Sequence, residues 1–78
     1  MINKDYRVTT LDYDARYLCE QNGFECEAVP SHNSGNIRIA ISKNGELVKI
    51  KIEEYKYLDS QYAVYKTYKA LAYRIINK

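Results

Sequence analysis

The dipeptide Asn44-Gly45 lies between two segments that alternate apolar and polar residues. Ile37, Ile39 and Ile41 alternate with Arg38, Ala40 and Ser42 before it, and Val48, Ile50 and Ile52 alternate with Lys49, Lys51 and Glu53 after it. Successive side chains of a strand point to opposite faces, so each segment reads as a strand with one buried face. Asn and Gly both tolerate the positive φ of a type I′ turn, whose twist suits the strands it joins. A two-residue turn also sets the register. It predicts Ile41 opposite Val48, Ile39 opposite Ile50 and Ile37 opposite Ile52, so that inward residues meet inward residues. Lys43 then faces Glu46 beside the turn, and on the outer face Arg38 meets Lys51 and Ala40 meets Lys49.

The rest of the chain supplies one more strand and two helices. Thr9 and Thr10 stand before Leu11-Asp12-Tyr13-Asp14, a hydroxyl cap followed by carboxylates at the positive end of a helix dipole. Leu11, Ala15, Leu18 and Cys19 follow with helical spacing, and Asn22-Gly23 is a stop, giving a helix over about residues 10–21. Phe24 to Val29 alternates, with Phe24, Cys26 and Ala28 on one side, and is a strand. Pro30 to Gly35, with Ser31, His32, Asn33 and Ser34 between them, is a loop. After Tyr55-Lys56-Tyr57-Leu58, Asp59-Ser60 caps a last helix that runs to about Ile76. Val64, Tyr68, Leu71 and Ile75 form its core stripe, with Ala72 and Ile76 beside it. At 78 residues the chain is a single domain, 1–78. The expected fold is α+β in the order α-β-β-β-α: a three-stranded antiparallel meander with two helices packed on one face and the other face open to water.

Charge is divided along the chain. Residues 1–35 carry the bases Lys4, Arg7 and Arg16 against six acids, and residues 36–78 carry nine bases against Glu46, Glu53, Glu54 and Asp59. The formal charge of +2 is too small to imply phosphate binding by itself. Glu25 and Glu27 can neutralise Arg38 and Lys51 across the sheet; alternatively the two signs form separate patches for different partner surfaces. Arg38 opposite Lys51 is mildly unfavourable unless an anion or a carboxylate lies between them. On the last helix Tyr62, Lys66, Lys69 and Tyr73 recur along one stripe, an alternation of aromatic and basic groups that suits a protein interface or stacked bases. The candidate binding residues are therefore Arg38, Lys49, Lys51, Tyr62, Lys66, Lys69 and Tyr73.

Nine tyrosines against one Phe and no Trp is unusual for a small core. Tyr suits half-buried, half-wet positions and is enriched at interfaces. His32 is the only histidine and reads as a surface loop residue; Cys19 and Cys26 read as free buried thiols, not a disulfide. There is no paired-ligand spacing for zinc, no Gly-rich phosphate loop and no nucleophile elbow, so neither a metal, a cofactor nor a catalytic residue is expected. Apolar runs are too short to span a membrane, and the N-terminus is unlike a secretion signal, so the expected location is the cytoplasm of a bacterial host. Phe, Ile, Lys, Asn and Tyr make up 32 of 78 residues, a bias toward A/T-rich codons that points to a low-GC bacterium, its phage or a mobile element.

The αβββα order resembles the double-stranded RNA-binding domain over about residues 9–77. That family contacts RNA through its first helix, the loop after its first strand and a Lys-rich start to its last helix. Here those starts read Asp12 with Asp14, and Asp59-Ser60-Gln61-Tyr62. Asn22-Gly23-Phe24 followed by Pro30-Ser31-His32 is similar to HicA-type messenger-RNA interferases over about residues 11–52, although Pro30 replaces their glycine; that resemblance implies His32 as general base. Three functions are expected in order. The first is a small non-catalytic interaction protein that docks on and inhibits a host protein or nucleoprotein, as anti-CRISPR proteins do, acting as a monomer or homodimer. The second is a nucleic-acid-binding module, and the third is the HicA-like RNase.

Overall fold

The computed structural model describes residues 6–32 and 35–77. Asn33 and Ser34 of the expected loop, the start of the lead-in and Lys78 lie outside the described residues. Helix α1 (Thr10–Gln21) is followed by strands β1 (Phe24–Pro30), β2 (Ile37–Lys43) and β3 (Glu46–Ile50), a single 3-10 turn (Tyr57–Asp59) and helix α2 (Ser60–Ile76). The sheet is an antiparallel meander in the order β1-β2-β3, and both helices pack against each other and against the sheet. This is the α+β architecture expected from the hairpin and the two amphipathic stripes.

Local chemistry accounts for the boundaries. Thr9 accepts a hydrogen bond from the Asp12 N–H at 3.2 Å, and the Asp12 carboxylate accepts one from the Thr9 N–H at 3.0 Å. This reciprocal capping box satisfies two of the donors a helix start leaves open. Gly23, at φ +86°, takes the left-handed conformation that ends α1, and its N–H reaches the Glu20 carbonyl at 3.0 Å. Asn44 and Gly45 have φ of +53° and +85°, the two positive values a type I′ turn requires.

The β1–β2 register places Cys26 opposite Ile41 and Ala28 opposite Ile39, so the inward rows meet as alternation predicts. The β2–β3 register does not. Lys43 pairs with Glu46 and Ser42 with Leu47, but then Ile41 faces Lys49 and Ala40 faces Ile50. One extra residue is inserted at Val48, and from there the expected pairing is displaced by one. A β-bulge of this kind sets two residues of one strand against one of its neighbour. The Lys51 N–H accordingly bonds the Ile39 carbonyl at 2.9 Å, so Lys51 stands opposite Ile39 and not opposite Arg38. Ile37 bridges to Tyr55, with bonds of 2.8 and 2.9 Å, which leaves Ile52 in a looped-out segment.

The consequence reaches every side chain beyond the bulge. Ile50 and Ile52, expected in the core, are 42% and 85% exposed, and Leu47 and Val48 are 59% and 58% exposed. The core is built instead from Ile37, Ile39, Ile41, Cys19, Cys26, Ala63, Tyr65, Tyr68 and Ala72. Tyr68 is its centre: its hydroxyl accepts the Cys26 N–H at 3.0 Å, and its carbonyl accepts the Cys19 thiol at 3.3 Å. The helical stripes pack largely as expected, with Ala15, Leu18 and Cys19 of α1 and Val64, Tyr68, Leu71, Ala72 and Ile75 of α2 in or against the core, but their edges differ. Leu11 and Ile76 face water, whereas Asp12, Tyr65 and Thr67 are buried.

Candidate functional site: a basic groove beside the edge strand

Cross-strand partners share a sheet face, so the bulge decides where the β3 lysines go. Lys49, paired with Ile41, and Lys51, opposite Ile39, stand on the helix side of the sheet. There they meet α2, and a groove of about 230 Å³ opens between strand and helix. The sheet side contributes Phe24, Ile41, Val48, Lys49 and Lys51 to its lining, and α2 contributes Thr67, Ala70, Leu71 and Arg74. Thr67, Ala70, Leu71 and Arg74 follow helical spacing along one flank of α2, which is why they converge. Lys43 extends the positive rim by lying over the Phe24 ring, 4.9 Å from its centroid. Lys51 also holds Glu53 at 3.4 Å, so part of its charge is already answered.

The groove lies below the ~300–1,000 Å³ of pockets that enclose a drug-sized molecule or cofactor. It suits a single large side chain of a partner, with acidic groups beside that chain reaching the cations. Among the described residues no cluster of three or more His, Cys, Asp or Glu is placed to hold a metal ion. Among the described residues no helix is long and apolar enough to cross a membrane.

The expected binding residues fall in three places. Lys49 and Lys51 meet in the groove. Arg38 is on the opposite sheet face beside Val29, and its Nε donates to the Lys51 carbonyl at 2.8 Å, so the expected Arg38–Lys51 anion clamp is not formed. The α2 stripe is occupied largely by the chain itself. Tyr62 packs edge-on against Tyr6, Lys66 lies over the Tyr62 ring at 5.9 Å, and Lys69 pairs with Asp12 at 3.0 Å. Lys66, Lys69 and Tyr73 remain exposed, Tyr73 at 69%, but Lys69 is tied to α1.

Asp12 explains why. It is buried, and its carboxylate takes the Tyr6 hydroxyl, the Thr9 N–H and the Lys69 ammonium together. Burial alone raises a carboxyl pKa; here the Tyr6 and Thr9 hydrogen bonds and the Lys69 charge outweigh it and bring Asp12 down to about 2. The same contact, with burial as the larger cause, lifts Tyr6 to about 12. Nearby, Arg16 is shared between Glu20 at 3.0 Å and the Tyr65 hydroxyl at 2.8 Å, which holds its proton more firmly still. The site that looked like a second patch is thus an internal seam joining the lead-in, α1 and α2.

Several exposed residues were not singled out by sequence. Arg74 was available from the 67, 70, 71, 74 spacing. Tyr13 and Tyr17 project from α1 beside Asp14, Arg16 and Glu20 around a shallow depression. Of the nine tyrosines, Tyr65 and Tyr68 are buried, Tyr6, Tyr55 and Tyr62 are half-buried, and Tyr13, Tyr17, Tyr57 and Tyr73 are exposed. His32 is exposed in its loop, while its neighbour Ser31 is buried and donates to Glu54 at 2.7 Å. Comparison with protein families, with curated proteins and with solved structures found no match to this chain.

Proposed function

We propose that this chain is a non-catalytic interaction protein that docks on a partner protein by taking an apolar side chain into the α2–β3 groove, with flanking carboxylates on Lys49, Lys51 and Arg74. The observation that carries the reading is the groove itself: a cleft of one-side-chain size whose lining joins Phe24, Ile41 and Leu71 to three cations. Interfaces are anchored by one or two large side chains in pockets, and charges at the rim steer the encounter. Size and codon-biased composition support a phage or mobile-element source, and with it a host protein as the target that the chain inhibits by occupying its surface.

A nucleic-acid reading has less support. Its cations are divided among the open sheet face, the groove and the Asp12 seam, and a phosphate backbone needs them along one track. The test is selection of peptides displayed on phage against the intact protein. Enrichment of a large apolar residue flanked by Asp or Glu, with binding lost in Lys49→Glu and Arg74→Glu, is expected. Binders indifferent to both substitutions, or affinity confined to nucleic acid and falling steeply with salt, would refute it.

A further inference from the structure

β3 is the edge of the sheet, and an edge presents unpaired N–H and C=O groups together with whatever side chains flank them. Proteins ordinarily blunt such edges with bulges and lysines, and β3 has its bulge, Lys49 and Lys51, yet it also carries exposed Leu47, Val48 and Ile50. We propose that β3 pairs antiparallel with β3 of a second copy, Leu47 opposite the partner's Ile50 and Glu46 opposite the partner's Lys51, making a six-stranded sheet about a two-fold axis between Val48 and Lys49. It shares Lys51 with the groove, but its test reads the mass of the assembly and not groove binding.

Three features of the strand agree on that one register. The first is the backbone. Lys51 is bonded to β2 through Ile39, so by ladder alternation Lys49 also faces β2 and Ile50 turns its N–H and C=O outward. At the other end Lys43 and Glu46 flank the two-residue turn and bond each other, which leaves Leu47 outward. Leu47 and Ile50 are therefore the residues able to exchange hydrogen bonds with a second β3. The second is the face. Leu47 pairs with Ser42 and Ile50 with Ala40, so both side chains lie on the open face, whereas Glu46 and Lys51 lie on the helix face. In an unbulged strand residues three apart point to opposite faces; the extra residue at Val48 brings 47 and 50 onto one. The third is charge. This register sets Glu46 against Lys51 at both ends, while displacing it by one sets Lys49 against Lys49 in one direction and Glu46 against Ile50 in the other.

Packing the open sheet faces together is a poorer solution, because it would bring exposed Glu25 and Glu27 of two copies against each other. Edge pairing keeps those acids in water and puts Leu47 and Ile50 beside their counterparts. It also sets the two basic grooves next to each other on the helix side of the joined sheet.

Light scattering during size exclusion, over micromolar to millimolar concentrations of the full chain, reads this directly. The expected mass is twice the 9.1 kDa of one chain. Ile50→Lys and Leu47→Pro should each return it to one chain; both positions are exposed, and an outward N–H costs the hairpin no bond when Pro removes it. Glu46→Lys should weaken the dimer and Glu46→Lys with Lys51→Glu should restore it. Arg74→Glu, which lies in the groove and not on the edge, should leave the mass at two chains. A single-chain mass for the wild type throughout, or a dimer that survives both Ile50→Lys and Leu47→Pro, would overturn the proposal.

Discussion

Replacing Asp12 with Asn keeps the shape of the side chain and removes its charge. Asp12 is 1% exposed, so its interactions are little diluted by solvent. Its fall from 3.8 to about 2 is a stability contribution. At about 1.36 kcal/mol per pKa unit it is worth about 2 kcal/mol. The sign follows from the direction of the shift. A carboxyl held below its unfolded value stabilises fully above about pH 4, and that part is lost as pH falls toward about 2. Asp12→Asn should therefore cost about 2 kcal/mol near neutral pH, which for a chain of this length lowers Tm by roughly 8–16 °C. Urea melts followed by far-UV circular dichroism, at about pH 7, 4 and 2, give the comparison. The wild-type and variant curves should separate at neutral pH and converge at the acid end. A gap below about 0.5 kcal/mol near pH 7, or one that stays constant down to about pH 2, would refute the reasoning. Lys69→Met should reproduce only a part of the loss, because its ammonium is half exposed while Tyr6 and Thr9 hold the carboxylate from the buried side.

Two further outcomes are expected. Gly23→Ala should destabilise by about 1–2 kcal/mol in the same melts, since the new Cβ would combine a φ of +86° with a clash against the Asn44 side-chain oxygen; an unchanged midpoint would mean that the α1–β1 turn relaxes freely. Burial pushes the Cys26 thiol up to about 12 and raises Cys19 as well. Both should resist a disulfide reagent at roughly pH 8 until denaturant is added, whereas rapid labelling of the native protein would show that the core opens under α2.

What was legible in the sequence was local. The Thr9–Asp12 spacing, the Asn22-Gly23 stop, the Asn44-Gly45 turn and the alternation of Phe24 to Ala28 each depend on neighbours a few residues away, and those elements form where they were expected. The bulge was not read, because Val48 to Ile52 alternates as a regular strand would; the one local sign is the adjacent apolar pair Leu47-Val48, where the alternation breaks. Its cause lies elsewhere: the chain must also bring Tyr55 back to bridge Ile37, and the direct run of 48, 50 and 52 under the helices gives way to that closure. Asp12 carried an adequate local explanation as a capping residue, which hid its second role, since Lys69 meets it only in the folded chain. The candidate site divided in the same way. Lys49 and Lys51 were singled out for an outer face and serve an inner one. Arg38, Tyr62 and Lys69 were read as available and are engaged by Lys51, Tyr6 and Asp12.

The basic groove exists only if the β3 lysines turn toward the helices after Val48, and NOE spectroscopy on a methyl-labelled sample reads that directly. Contacts from the side-chain methylenes of Lys49 and Lys51 to the methyl groups of Thr67 and Leu71, with Ile50 showing none to α2, are the predicted result. Contacts from Ile50 to Leu71, with both lysines silent toward the helix, would mean an unbulged strand and no basic groove.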